Sequence, residues 1–436
     1  MKTVGIIAEY NPFHNGHFYQ LQKAKELSGA NFAVVVMSGN FVQRGTPALI
    51  DKYTRTKMAL CNGADLVLEL PVCYATASAE YFAKGAVSLL SALGVDALCF
   101  GSECGDVSVL QTIAQILSDE PDAFKASLEK NLQLGVSFPV ARSRALREYI
   151  AFSTDLLCEK DLACKENLSH KEELSLTEPE VLTKILESPN NILGIEYIKA
   201  LISLHSSMEV YTVRRTGSDY SDTTLPEHTF SSAMAIRQSI FEGSSLDTLS
   251  SYMPKDSLHI LKEELSDGFP VCENDFSGML FYKLLSLPNK DYTSYLDVSP
   301  SLSDKISGLL EQYTSWSQFC SLLKSKDLTH TRISRSLLHI LLDIKKNDLQ
   351  EYRLSGYSGY ARILGFKKSS QALFGTLKTA SIPLLSKLAD ADKLLSDTAK
   401  KQLAQDIFAA HLYDSISAQK TGRTLQNEYR RQIVIL

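Results

Sequence analysis

No apolar run in this 436-residue chain approaches the ~20 residues needed to cross a bilayer, so a membrane-spanning helix is not expected. The N-terminus enters an apolar run at once, and no charged–apolar–cleavage pattern of a secretory signal precedes it. The eight cysteines (Cys61, Cys73, Cys99, Cys104, Cys158, Cys164, Cys272 and Cys320) form no Cys-x-x-Cys pair, which speaks against zinc ribbons and dithiol chemistry. Most sit in apolar contexts and read as reduced core thiols of a cytoplasmic protein. Repeats and low-complexity tracts are missing. The net charge of −5 excludes a uniformly basic nucleic-acid binder, although charge is unevenly spread. Residues 320–370 hold ten lysines and arginines against four acids, whereas residues 158–180 hold seven acids against three bases. With 44% hydrophobic and 22% charged residues, the remaining expectation is a globular chain of two or three domains.

The first hundred residues alternate two patterns. Apolar, β-branched runs at 3–8, 32–37, 66–70 and 97–100 read as buried parallel strands, and 18–27, 52–61 and 79–93 read as helices between them. The expected class is α/β, a Rossmann-like parallel sheet whose ligands bind beyond the carboxyl ends of the strands. Residues 106–150 read as helical, 151–180 as an acidic loop, and 208–213 as a strand. Helices are expected at 192–204, led by Ser188-Pro189-Asn190-Asn191, and at 230–241. Beyond about 250 the strand signal fades and helical spacing dominates. These patterns predict a catalytic domain over 1–245 and a mainly α-helical domain over 246–436.

The segment Phe13-His14-Asn15-Gly16-His17 follows the first strand directly and opens the first helix. Such a turn suits the phosphates of a nucleotide, because a helix start offers backbone N–H groups and a positive dipole end, and two imidazoles add donors. Gly16 keeps the backbone open for close approach of a base or ribose. A second motif, Phe230-Ser231-Ser232-Ala233-Met234-Ala235-Ile236-Arg237, places hydroxyls at a helix start and an arginine one turn later, a compact phosphate clamp. Together the two match the signatures of the nucleotidylyltransferase superfamily, with Met234 in place of the usual threonine and Ser231 or Ser232 left to supply a hydroxyl.

Longer matches sharpen the resemblance. Glu9-Tyr10-Asn11-Pro12-Phe13-His14-Asn15-Gly16-His17, Met37 to Gly45, Arg55-Thr56-Lys57-Met58-Ala59-Leu60, Phe100-Gly101-Ser102-Glu103 and Pro189 to Gly194 resemble the bacterial tRNA(Met) cytidine acetate ligase family. The match continues more weakly through Thr331-Arg332 and Tyr360 to Gly365. The resemblance implies a two-step reaction. Acetate attacks ATP to give acetyl-adenylate and pyrophosphate, and the acetyl group passes to N4 of the wobble cytidine (C34) of elongator tRNA(Met). It further implies that Ile7, Ala8, Glu9, Tyr10, Asn11, Pro12, Phe13, His14, Asn15, Gly16, His17, Phe18, Tyr19 and Gln20 line the ATP site with Gly101, Asn190, Arg215 and Ser232. His14, His17 and Arg237 would be the catalytic groups. No carboxylate pair suggests a dedicated metal cage, so Mg²⁺ is expected to arrive on the triphosphate.

Several residues keep two readings. Asn190 either caps its own helix or turns to the nucleotide; Arg215 either binds phosphate or pairs with Asp219; Gly101 is either a site for adenine or a turn glycine. Gln43, Arg44, Lys52, Arg55 and Lys57 form either a cationic niche for acetate or a solvated face. The bases of 320–370, interleaved with Tyr352, Tyr357, Tyr360 and Phe366, form either an RNA surface or the outer faces of amphipathic helices. An adenylyltransferase acting on a small metabolite or an acetate ligase that loads a protein thiol, and a non-catalytic RNA-binding protein, are the rival classes.

Overall fold

A computed structural model describes residues 1–136, 140–150, 179–215, 231–266, 268, 270–326, 328–377 and 380–436. Two compact units divide the chain: residues 1–100 with 216–436, and residues 101–215. The division therefore does not fall at residue 245, where the fading strand signal places it.

The first unit is built on parallel strands β1 (Thr3–Ala8), β2 (Phe32–Ser38), β5 (Leu66–Leu70) and β6 (Ala97–Ser102), the last of which carries the chain into the second unit. A two-residue hairpin, β3 (Phe41–Val42) with β4 (Thr46–Pro47), follows β2. Helix α1 (Asn15–Ser28) follows β1 and α2 (Lys52–Cys61) precedes β5. The α/β class expected from the apolar runs is the one found. Val34 to Val36, Leu66 to Leu68 and Ala97 to Cys99 are fully enclosed, which is why these strands read as continuous apolar runs rather than alternating ones. Registers Ile7↔Val36 and Ala8↔Met37 bring β1 and β2 to a common carboxyl edge, so Glu9 and Ser38 emerge side by side.

The C-terminal part is mainly helical, as expected, but it also returns to this sheet. After strand β7 (Glu209–Arg214) of the second unit, β8 (Ala361–Phe366) pairs antiparallel with β5, and β9 (Leu384–Leu385) and β10 (Val434–Ile435) pair with β8. The order in the first unit is β10-β8-β5-β2-β1-β6. Strand β8 escapes a periodicity reading because it carries Arg362, whose charge is paired with residues distant in sequence. The long helix Asp397–Thr421 packs Ala399, Leu403 and Ile407 against Tyr360 and Leu385.

The second unit pairs the helix Val107–Asp119 with the helix Pro189–Ser203, and Val109, Leu110 and Ile113 on the first and Ile195, Ile198 and Leu201 on the second are buried. The acidic 151–178 segment, with Cys158 and Cys164, lies outside the described residues.

Candidate active site

Helix α1 begins at Asn15, not at Phe18, because His14 is its N-cap. His14 Nδ1 accepts from the backbone N–H of Gly16 at 3.0 Å, and the backbone N–H of His14 donates to His17 Nδ1 at 3.3 Å. The two imidazoles complete a capping box of the kind that serine and glutamate usually build. The rings stack with centroids 3.7 Å apart and planes 24° apart, and Tyr10 packs edge-on to His17 at 4.9 Å. A lone pair at each Nδ1 is thus committed to the backbone. The proton of each neutral ring sits on Nε2, and any hydrogen bond through Nε2 is donated.

The helix start differs from the expectation of open N–H groups. Asn15 N–H donates to Tyr252 O at 2.9 Å, Gly16 N–H to His14 Nδ1, and His17 N–H and Phe18 N–H to His14 O at 3.0 and 3.1 Å. The positive dipole end remains, so the donors for an anion are imidazole edges rather than main chain. Gly16 is required for a different reason than ligand approach: a Cβ there would lie 2.9 Å from His14 Cε1 and displace the capping ring.

Within the span expected to line ATP, Ile7, Tyr10, Asn11, Pro12 and Phe13 are buried and form the backing of the loop, and the capping His14 is buried with them. Ala8, Glu9, Asn15, Gly16, His17, Phe18 and Gln20 are half-buried, and Tyr19 is exposed. Burial pushes the Tyr10 hydroxyl well above its ordinary pKa.

The second motif is brought to the first. Arg237, on the helix Ala233–Phe241, donates from Nη1 to Asn11 O at 2.7 Å. Ser232 caps that helix by accepting from Ala235 N–H at 3.0 Å, so its oxygen already has a backbone partner. Phe230 lies outside the described residues, and the helix begins three residues later than expected.

Two of the four cations near β2 are neither a solvated face nor a niche for acetate. Lys52 is fully buried against Glu69 at 2.8 Å and Glu428 at 2.6 Å. Arg55 is fully buried and donates to four backbone carbonyls, those of Glu9 at 2.7 Å, Ser38 at 3.0 Å, Ile50 at 3.1 Å and Gly39. Lys57 remains on the surface beside Glu263. Nothing in the one-dimensional pattern distinguishes Arg55 from its neighbours; only the convergence of two strand ends above it does.

In the second unit, Glu103 takes the capping role that was one of the two readings of Asn190. Its carboxylate accepts from Asn190 Nδ2 at 2.6 Å and from Asn191 N–H at 2.9 Å, so the helix Pro189–Ser203 is capped by Glu103 and not by Asn190 itself. Asn191 Oδ1 in turn accepts from Cys104 N–H at 3.0 Å. Arg215 N–H donates to Ser102 O at 2.8 Å, and its side chain passes Gly101, where a Cβ would lie 3.4 Å from Arg215 Cγ. Asp219, the alternative partner of Arg215, lies outside the described residues.

The basic 320–370 segment is divided between interior and surface. Tyr352 and Tyr360 are buried, so neither can stack on a base. The Tyr360 hydroxyl donates to Asp406, Arg362 pairs with Glu69 and Glu428, and Arg335 pairs with Asp297 at 3.0 Å. Lys324, Lys326, Arg332, Arg353 and Lys368 stay exposed, and Tyr357 and Phe366 are half-buried.

Residues 1–428 match the family described as HIGH nucleotidyl transferase. The chain is 40% identical over 442 residues to a tRNA(Met) cytidine acetate ligase of Acetivibrio thermocellus, covering 100% of both chains. It is 36% identical to the enzyme of that name from Thermosipho melanesiensis, covering 100% of this chain and 99% of the other. Among solved structures, Thermotoga maritima TmcAL in apo form superposes with a TM-score of 0.89 at 32% identity, and the same protein bound with alpha-thio ATP with a TM-score of 0.86 at 31%. Both comparisons cover 100% of each chain. Among the described residues no helix is long and apolar enough to cross a membrane.

Proposed function

The chain belongs to the HIGH nucleotidyl transferase family and, within it, to the tRNA(Met) cytidine acetate ligases, and from that premise we propose that it acetylates the wobble cytidine of elongator tRNA(Met) at the expense of ATP. An acetate oxygen attacks the α-phosphorus, the bond from that phosphorus to the bridging oxygen of pyrophosphate breaks, and acetyl-adenylate forms. The lone pair of cytidine N4 then attacks the acetyl carbonyl carbon. AMP leaves, and N4 gives up a proton to solvent.

The observation that carries this reading is the His14–His17 pair, whose Nδ1 atoms are spent on the helix start and whose protons are thereby fixed on Nε2. Donors fixed in advance stabilise charge that grows on phosphoryl oxygens without reorganising during the reaction. Arg237 supports the first step by holding Asn11 O, and so the loop on which both histidines stand. Residues Ala8, Glu9 and Asn15 to Gln20 supply the surface nearest the nucleotide in this reading, backed by Ile7 and Tyr10 to Phe13. Mg²⁺ travels with the triphosphate, where it keeps most of its preferred oxygen ligands. The exposed cations Lys324, Lys326, Arg332, Arg353 and Lys368 contact tRNA phosphates, and a tRNA substrate places the protein in the cytoplasm.

The experiment supplies the protein with ATP, Mg²⁺, labelled acetate and unmodified elongator tRNA(Met), and looks for N4-acetylcytidine after digestion. Label in that nucleoside, abolished by His17→Ala, supports the reading. Acetyl-adenylate without labelled RNA would mean another acceptor, and no adenylate at all would remove the catalytic reading.

A further inference from the structure

Arg55 stands apart from the other buried cations of the first unit. Lys52 and Arg362 face Glu69 and Glu428, but among the described residues no carboxylate forms an ion pair with Arg55. Its donors go to carbonyl oxygens instead. Nε reaches Ile50 O at 3.1 Å, Nη1 reaches Glu9 O at 2.7 Å and Ser38 O at 3.0 Å, and Nη2 reaches Gly39 O. Glu9 begins the loop that leads to His14 and His17, and Ser38 and Gly39 are where β2 ends. One guanidinium therefore joins the two loops at the carboxyl edge of the central strands.

Other bonds run in parallel. Gln43 N–H donates to the Glu9 carboxylate at 2.9 Å, and Leu49 N–H donates to Asn11 Oδ1 at 2.8 Å. All come from the segment between β2 and α2, so the histidine loop is held on one side by residues 39–55 and on the other by Arg237. A planar fork of five donors can serve four carbonyls in fixed directions, whereas a lysine ammonium offers a single point. The charge also persists, because arginine keeps its proton even when buried.

We propose that Arg55 is a positioning residue for adenylate formation: it locks the Glu9-to-His17 loop to the Ser38–Gly39 turn. This rests on the function proposed above. Loss of the fork leaves the histidines present but misdirected, and a displacement of about 1 Å in such a group costs on the order of 100-fold in rate.

The test compares parent, Arg55→Lys and Arg55→Ala in acetate-dependent ATP–pyrophosphate exchange, with rates expressed per ATP-binding molecule counted by calorimetry. Hydrogen exchange of the Glu9–His17 peptide is followed in parallel. Expected for Arg55→Lys is a fall in kcat of about 30- to 100-fold with KM for ATP changed by less than about threefold. Protection should be lost in the Glu9–His17 peptide and kept in β5 and in residues 18–28 of α1. Millimolar guanidinium should restore Arg55→Ala, while neutral, isosteric urea should not. A kcat within about threefold of the parent, protection lost evenly across the unit, or equal rescue by urea would each overturn the proposal. If the parent itself shows no acetate-dependent exchange, the ligase reading fails, while the loop's protection still decides the role of Arg55.

Discussion

Lys52 Nζ lies 2.6 Å from Glu428 Oε1, a fully enclosed ion pair that ties the start of α2 to the C-terminal segment. Glu69 and Arg362 close the ring: Lys52 to Glu69 at 2.8 Å, Arg362 to Glu69 at 3.0 Å and Arg362 to Glu428 at 2.7 Å. Two cations and two anions balance, which is what makes their burial tolerable. Glu428→Gln removes one anion and leaves two buried cations sharing Glu69. Its expected cost is about 3–5 kcal/mol in urea unfolding. Replacing Lys52 with Met in the same chain should recover part of that loss; no recovery would mean that the pair is not coupled.

The carboxyl groups around this ring respond to pH in opposite directions. Burial alone would raise Glu428, but Lys52 and Arg362 outweigh it and hold it down at about 2. A carboxyl lower in the folded than in the unfolded state stabilises above its ordinary pKa, so its contribution is lost as pH falls from about 4.5 towards 2. Burial pushes Asp406 and Asp414 up to about 7. The folded state then binds more protons than the unfolded one between about pH 4 and 7, and stability declines as pH rises through that window. Asp406→Asn keeps an acceptor for Val72 N–H, which donates to Asp406 Oδ1 at 2.7 Å in the parent. The variant should flatten the decline in urea midpoint between about pH 5 and 8; an unchanged slope would assign the decline to other groups.

The two histidines can be separated by their cap roles. His14→Asn restores a good N-cap while deleting the imidazole, so its melting temperature should stay near the parent's while ATP–pyrophosphate exchange falls about 100-fold or more. His14→Ala should lose the same activity and about 1 kcal/mol of stability as well. Equal activity in His14→Asn and parent would confine His14 to capping.

Gly45 carries a steric constraint of another kind. Its φ is +76°, and a Cβ would stand 2.3 Å from Arg335 N and 2.5 Å from Ser334 C, in the backbone of a neighbouring helix. Ser334 Oγ also donates to Gly45 O at 2.8 Å. Gly45→Ala should cost about 2–4 kcal/mol, read as a lowered urea midpoint, because neither the turn nor the helix backbone can yield cheaply.

The proposed RNA surface predicts a salt signature. Replacing Lys324, Lys326 or Arg332 with Ala should raise KM for tRNA and reduce the slope of log affinity against log salt by about 0.7–0.9 for each phosphate that is no longer neutralised. Acetate-dependent pyrophosphate exchange should stay at the parent's rate. A substitution that lowers exchange equally would act on the fold and not on RNA.

The parallel strands and the histidine turn were legible in the sequence because each is local. Buried strands leave uninterrupted apolar runs, and His14-Asn15-Gly16-His17 needs no distant residue to be seen. What the sequence hides is long-range. Histidine as an N-cap falls outside the usual Ser, Thr, Asp and Asn, so α1 starts three residues earlier than its spacing suggests. Arg362 and Tyr360 read as surface until Glu69, Glu428 and Asp406, far away in sequence, are brought against them. Arg55 falls within a motif of the family resemblance, but nothing there shows its role, since its partners are main-chain oxygens that every residue possesses.

Strand β10 pairs Val434 with Gly365 and Ile435 with Phe366 at the edge of the sheet that also holds β1. β1 and β10, far apart in sequence, therefore belong to one sheet. A proteolytic cut between residues 421 and 428 would take away both the partner of β8 and the anion that faces Lys52 and Arg362. What remained would present β8 as a partly bare edge, a template for pairing with another chain.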